Sequence, residues 1–136
     1  AGKFAERLGI PMAIIDKRRI SDEKVKHGLV IGEVSGKDAI IFDDEIAAAS
    51  TIVSTVDTLR KAGARKLYAG ATHPVLCGPA MERLKALDLT AIMVANTMEV
   101  PESKRIGNLQ VLSVAKLFAK AIDRIHTGES IGALFS

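Results

Sequence analysis

The sequence alternates short apolar runs with segments of helical period, and this alternation limits the folds that the chain can adopt. Each run is short enough for a strand and too short for a helix; the runs span residues 12–15, 29–31, 39–42, 66–71, 91–94 and 110–112. Apolar strands joined by helices are typical of a parallel sheet that is covered on both faces. The pattern therefore predicts an open α/β fold with a mainly parallel sheet and helices on both faces.

Three segments between or after these runs have the period of an amphipathic helix. Ile52, Val56 and Leu59 fall on one face of the first segment. Pro79 suits the first turn of a second helix, because proline lacks an amide proton that would be unpaired there. The last helix, within residues 114–128, carries its apolar side chains on one stripe. These helices complete the alternating pattern.

Length and composition indicate a single domain of residues 1–136, with 48% hydrophobic residues to form its core. Residues 1–9 have the pattern of a helix without an N-terminal cap, so we expect further residues before Ala1. The one cysteine, Cys77, excludes an intrachain disulfide and favours a reducing compartment, which predicts a cytoplasmic protein. No acid–base partner is near Cys77 in the sequence, so we expect a small buried side chain.

Charge and hydropathy exclude several function classes. The net charge of +3 suits anionic small molecules and predicts no nucleic-acid partner. No apolar run approaches the roughly 20 residues of a membrane span, so no membrane partner is predicted. His27 and His126 do not have the spacing of metal ligands, and we predict no metal site.

The stretch IIFDDEIAAAST, residues 40–51, has the most specific chemistry of the sequence. Asp43 and Asp44 follow a strand and should lie at the carboxyl edge of the sheet, where open α/β folds bind ligands. The next helix begins near Thr51, and its first amides can bind an anion. Small residues let a phosphate approach the backbone, while carboxylates accept hydrogen bonds from sugar hydroxyls. The stretch therefore predicts a sugar-phosphate site.

A simpler interpretation fits the same residues. Asp43 and Asp44 can be solvated loop residues, and Ser50 can be an ordinary N-cap. His73 follows another strand, and it can contact a phosphate or nucleotide or form a structural hydrogen bond. The residues alone leave these alternatives open.

Four motifs in order along the chain resemble the C-terminal half of the ribose-phosphate pyrophosphokinase family. They are IPMAIIDKRR at 10–19, VIGEVSGKDAIIFDDEI at 30–46, ATHPVLCGPAMERL at 71–84 and LSVAKLFAKAIDRIHTGESIGALF at 112–135. The resemblance implies a type I phosphoribosyltransferase-like fold. It also implies transfer of diphosphate from ATP to the 1-hydroxyl of ribose 5-phosphate, with Mg²⁺ as the cofactor.

The resemblance assigns roles to residues of this chain. It places the catalytic lysine and arginine of a flexible loop at Lys17 and Arg19. It places ribose 5-phosphate on Asp43, Asp44 and the loop Ala47, Ala48, Ala49, Ser50 and Thr51. The sheet alternation predicts that the basic loop lies on the same side as the aspartates. The partners implied are ATP, ribose 5-phosphate, an N-terminal domain of the same enzyme, and copies of the chain in a dimer to hexamer.

The phosphate loop departs from the family's usual pattern. The family usually has Asp, Thr, Gly, Gly, Thr where this chain has Ala47, Ala48, Ala49, Ser50 and Thr51. If the loop needs left-handed backbone geometry, alanine or serine costs about 1 kcal/mol or more relative to glycine. Two alternatives to an active synthetase therefore stay open: a weakened or regulatory paralogue, and a phosphoribosyltransferase that shares the loop.

Overall fold

The computed structural model describes residues 1–16, 19–21, 24–25 and 29–135, and for 19–21 and 24–25 it describes the backbone alone. The helices are α1 (Gly2–Leu8), α2 (Ser50–Lys61), α3 (Ala80–Ala86) and α4 (Ala115–Thr127). The strands are β1 (Ile14–Ile15), β2 (Arg19–Ser21), β3 (Lys24–Val25), β4 (Val30–Ile31), β5 (Ala39–Glu45), β6 (Leu67–His73), β7 (Ala91–Ala95) and β8 (Leu109–Leu112). Short 3₁₀ turns occupy Glu102–Lys104 and Ile131–Leu134.

The centre of the fold is a parallel sheet with the strand order β5-β6-β7-β8. Sequential parallel strands joined by right-handed crossovers place the connecting helices on one face, and α2 contacts α3 there. On the opposite face, Phe4 of α1 stacks on Phe42 of β5 with ring centroids 4.3 Å apart. The prediction of an open α/β fold with a parallel sheet and helices on both faces is confirmed.

The core lies between the sheet and the helices α2 and α3. Ile41, Ala69 and Ile92 are neighbours in register across three strands and face these helices. Ile52 and Val56 of α2 and Leu84 of α3 are also fully buried. The apolar face that the sequence predicts for α2 is therefore the face that packs on the sheet.

Two parts of the chain differ from the sequence-based expectation. β1 and β4 pair antiparallel with each other, outside the four-stranded sheet, and β2 pairs antiparallel with β3. Strand β1 has only two residues, and its neighbour is the strand that returns at Val30. Because β1 is outside the parallel sheet, the alternation argument does not place the basic loop. Lys17 lies outside the described residues, and the backbone of Arg19 begins β2.

The last helix, α4, has the predicted apolar stripe but buries none of its residues. Phe118 is 59% exposed, and Ile122 and Ile125 are each 64% exposed. Among the described residues, no helix has the combined length and hydropathy that crossing a membrane requires.

The contrast between Ile92 and Ile40 tests the location of the core. Ile92 is 0% exposed and Ile40 is 41% exposed, on strands of the same sheet. We expect Ile92→Ala to lower the free energy of unfolding by about 3 kcal/mol, because a buried isoleucine leaves a cavity. Ile40→Ala, the matched control, should lower it by less than about 1 kcal/mol. Urea denaturation followed by circular dichroism measures both, and equal losses would contradict this core.

Candidate functional site

The paired aspartates lie at the carboxyl edge of the parallel sheet, as predicted. Strand β5 ends at Glu45, so Asp43 and Asp44 belong to the strand and not to the loop that follows it. This strand is longer than the apolar run predicted, because it stays paired with β6 as far as Glu45 opposite His73. Asp43 is half-buried and Asp44 is exposed.

Hydrogen bonds with the local backbone orient both carboxylates. The Asp44 amide donates to Asp43 Oδ1 at 3.0 Å, and the Glu45 amide donates to Asp44 Oδ1 at 2.9 Å. Hydrogen bonding with the Asp43 side chain lowers the pKa of Asp44, and the Glu45 amide lowers it further. Asp44 is therefore ionised at neutral pH, and an ionised carboxylate acts only as an acceptor, which suits hydroxyl donors.

The loop after β5 is held by hydrogen bonds on its outer side. The carbonyls of Ile46 and Ala47 accept from the amides of Leu76 and Cys77, at 2.8 and 3.1 Å. The carbonyl of Ala48 accepts from Arg83 Nη1 at 2.8 Å. Two of these carbonyls thus point towards the connection between β6 and α3, and the third points towards Arg83 of α3.

This arrangement directs the loop amides towards a pocket. In a trans peptide the carbonyl of one residue points away from the amide of the next, and the described residues contain no cis peptide. The amides of Ala47, Ala48 and Ala49 therefore point away from the β6–α3 connection. Among the described residues they have no hydrogen-bond acceptor. The pocket of about 160 Å³ beside them is lined by the continuous run of residues 43–52.

Ala49 has the left-handed backbone geometry that the sequence analysis considered. Its φ is 60° and its ψ is 10°, and it is the N-cap residue of α2, with no side-chain cap bond. The family that the sequence resembles usually has glycine at this position. The Val53 amide donates to the Ala49 carbonyl at 3.0 Å and begins the helix. The loop therefore has the geometry that disfavours alanine, which costs about 1–2 kcal/mol.

The sequence predicted no role for Glu45 or Arg83 at this site, and it left two roles open for His73. Glu45 lines the pocket, and Arg83 holds the loop from α3. His73 Nδ1 lies 2.9 Å from Thr97 Oγ1, which in turn donates to the Thr72 carbonyl at 2.8 Å. Because the Thr97 hydroxyl gives its one proton to the Thr72 carbonyl, Nδ1 of His73 is the donor in the first bond. The motif ATHPVLCGPAMERL was a signal for this region, but its contacts depend on the tertiary structure.

Some predicted residues are placed differently or are not placed. Cys77 is exposed, so the prediction of a buried side chain is wrong. Its neighbour Leu76 is buried in a left-handed conformation with φ 48°, and the turn leaves Cys77 outside. Lys17 lies outside the described residues, and the roles of Lys17 and Arg19 stay predictions. Among described residues, no group of three or more His, Cys, Asp or Glu could hold a metal ion.

A family model described as "Phosphoribosyl synthetase-associated domain" matches residues 19–136. The chain belongs to this family. It is 47% identical over its whole length to a ribose-phosphate pyrophosphokinase of Deinococcus radiodurans and 47% identical over 98% of its length to one of Caldanaerobacter subterraneus subsp. tengcongensis. It spans 43% and 42% of the lengths of these two relatives.

A solved structure supports the same family. The crystal structure of phosphoribosylpyrophosphate synthetase from Mycobacterium smegmatis has a TM-score of 0.82 and 38% sequence identity with this chain. The likeness covers 93% of this chain and 40% of that protein. The fold is therefore the α/β fold of the family, and the chain corresponds to part of each relative.

The strain at Ala49 can be measured against a neighbouring alanine. Ala49→Gly removes a left-handed alanine, while Ala48→Gly makes the same chemical change where φ is not positive. Each glycine costs about 0.4–1 kcal/mol by loosening the unfolded chain, but only Ala49→Gly also relieves strain. We expect the free energy of unfolding of Ala49→Gly to exceed that of Ala48→Gly by about 0.5–1 kcal/mol, because the loss of the buried Ala49 methyl offsets part of the relieved strain. Equal values in urea denaturation would contradict the left-handed geometry.

Proposed function

We propose that this chain is the ribose 5-phosphate-binding half of a ribose-phosphate pyrophosphokinase, with residues 1–136 as one domain and the C-terminal half of a two-domain enzyme. The observation that carries the proposal is the joint position of two carboxylates and of three loop amides without a described acceptor around one pocket. The similarity to ribose-phosphate pyrophosphokinases of two bacteria supports it.

In the proposed reaction the 1-hydroxyl oxygen of ribose 5-phosphate attacks the β-phosphorus of ATP. The bond from the β-phosphorus to the oxygen of the α-phosphate breaks, the hydroxyl proton is released, and AMP leaves. The products are phosphoribosyl diphosphate and AMP. Catalysis of such transfers depends mostly on positioning and on electrostatic stabilisation of the transferred group.

Each part of the site has a distinct role in this proposal. Asp43 and Asp44 accept hydrogen bonds from the ribose hydroxyls. The 5′-phosphate binds at the amides of the run Ala47, Ala48 and Ala49 and at the start of α2, where Ser50 and Thr51 add hydroxyls. This separation keeps the carboxylates away from the phosphate charge. It explains why a strand that ends in acids is followed by a loop of small residues.

The basic loop supplies the cations of the proposed site. Lys17 and Arg19 stabilise the charge that spreads over the diphosphoryl oxygens in the transition state. Their motif, IPMAIIDKRR, supports this role.

ATP and Mg²⁺ complete the proposal. The described residues form no set of metal ligands, so the ion would enter with the phosphates of ATP, which Mg²⁺ commonly binds. Asp43, Asp44 and Glu45 are the carboxylates nearest the pocket, and one or two of them can add to such a complex. The ion would neutralise charge on the diphosphoryl oxygens.

The apolar face of α4 supports the proposed partner. An amphipathic helix that buries none of its residues exposes a surface suited to packing, and the relatives are more than twice as long as this chain. We propose that an N-terminal domain covers this face, in an enzyme that acts in the cytoplasm as a homo-oligomer of two to six subunits.

One rival function is favoured by a specific observation. The left-handed Ala49 weakens the case for tight phosphate binding, as in a weakened or regulatory paralogue. Titration of ribose 5-phosphate against the chain and an Ala48→Thr, Ala49→Gly, Ser50→Gly variant separates the two. Tighter binding by the variant favours the paralogue, and equal affinity removes the argument for impairment.

The division of roles between carboxylates and loop can be tested with two ligands. We expect Asp44→Asn to weaken ribose 5-phosphate binding about tenfold, since a hydrogen bond to a charged group contributes about 1.5–3 kcal/mol. The same variant should bind inorganic phosphate as tightly as the unchanged chain, because phosphate needs only the loop. Isothermal titration calorimetry measures both affinities. Asp57→Asn, an exposed change on α2, is the charge-matched control.

Two results would contradict this division. One is equal loss of affinity for ribose 5-phosphate and inorganic phosphate in Asp44→Asn. The other is a loss in Asp57→Asn as large as that in Asp44→Asn.

The proposal also predicts that the 136 residues bind without turning over. The chain spans less than half of the length of these relatives. With ATP, Mg²⁺ and ribose 5-phosphate present, we expect no formation of AMP above the background without protein. Steady turnover by these residues alone would refute the need for a second domain.

A further inference from the structure

We propose that Arg83 is a positioning residue for the phosphate loop, acting through the carbonyl of Ala48; this inference rests on the proposed function. Arg83 lies on α3 and is distant in sequence from the loop. Its Nη1 donates to the Ala48 carbonyl at 2.8 Å. The pocket is lined by residues 43–52, so Arg83 does not itself line it.

The peptide between Ala48 and Ala49 is the one that needs this support. A flip of that peptide changes ψ of Ala48 and φ of Ala49 together, and it can carry Ala49 from its φ of 60° to an ordinary negative value. The flip would therefore relieve the strain of a left-handed alanine. It would also turn the Ala49 amide away from the pocket and the Ala48 carbonyl towards it. A carbonyl oxygen there would repel a phosphate.

Arg83 opposes this flip because its guanidinium holds the Ala48 carbonyl on the outer side. The preceding carbonyls of Ile46 and Ala47 are held by backbone amides, which no side-chain substitution removes. At Ala48 a side chain has the equivalent role. A second cation stabilises the connection between β6 and α3, since Lys104 Nζ donates to the Leu76 carbonyl at 2.9 Å. The direction of the Ala49 amide is thus set from another helix.

The experiment compares three variants of the chain. Arg83→Met removes the donor and one charge, while Lys85→Met removes one charge from another exposed residue of the same helix without touching the loop. Arg83→Lys keeps the positive charge and one donor nitrogen. Ribose 5-phosphate is titrated by calorimetry, and the three-bond coupling of the Ala49 amide by NMR reports its φ in the free protein.

The expected results separate positioning from simple charge. Arg83→Met should weaken ribose 5-phosphate binding about fivefold and shift the Ala49 coupling, since an exposed charged hydrogen bond is lost. Lys85→Met should weaken binding less than about twofold and leave the coupling unchanged. Arg83→Lys should bind ribose 5-phosphate nearly as tightly as the unchanged chain. Thermal unfolding of each variant shows whether the fold is retained.

The outcomes that overturn the proposal differ from those that overturn the function. If the unchanged chain binds ribose 5-phosphate and Arg83→Met matches Lys85→Met in both measurements, Arg83 does not position the loop. A loss of affinity without a change at Ala49 would mean direct contact with phosphate, and it also overturns the proposal. If the unchanged chain does not bind ribose 5-phosphate but Ala49 still shifts in Arg83→Met, the positioning stands and the proposed function fails.

Discussion

The site depends on hydrogen bonds that hold three successive carbonyls on the outer side of one loop. The carbonyls of Ile46 and Ala47 accept from amides of the connection between β6 and α3, and the carbonyl of Ala48 accepts from Arg83 of α3. Planar trans peptides then fix the direction of the following amides, which face the pocket. The parallel sheet positions the carboxylates, since β5 brings Asp43 to the carboxyl edge where the loop begins. The proposed anion site and the proposed hydroxyl site therefore lie side by side at this edge.

The loop combines this order with strain at Ala49. Glycine would adopt φ 60° without cost, and alanine does not. The buried methyl of Ala49 and the bonds around it keep the strained geometry in place. The energy of about 1–2 kcal/mol involved is small beside the stability of a domain, but it is enough to change a binding constant about tenfold. Under the proposed function, strain of this size would separate tight from weak phosphate binding.

The sequence predicted the elements that depend on local pattern. Short apolar runs placed the parallel strands, and Asp43 and Asp44 were correctly placed at the carboxyl edge. The errors arose where tertiary contacts decide. Strand β1 pairs with β4, and hydrophobic periodicity does not indicate which strand pairs with which. Cys77 is exposed because the backbone turns at Leu76, whose side chain is the one that is buried. Arg83 was missed because only the fold brings α3 to the loop.

The central claim is that a sugar's hydroxyls and its phosphate occupy two adjacent parts of one pocket. A crystal structure of the chain with ribose 5-phosphate tests this most directly. The account predicts the phosphate within about 3 Å of the amides of Ala47, Ala48 and Ala49, the usual length of such hydrogen bonds, with the ribose hydroxyls on the Asp43 and Asp44 carboxylates. A ligand bound in the reverse orientation, or away from residues 43–52, would contradict it.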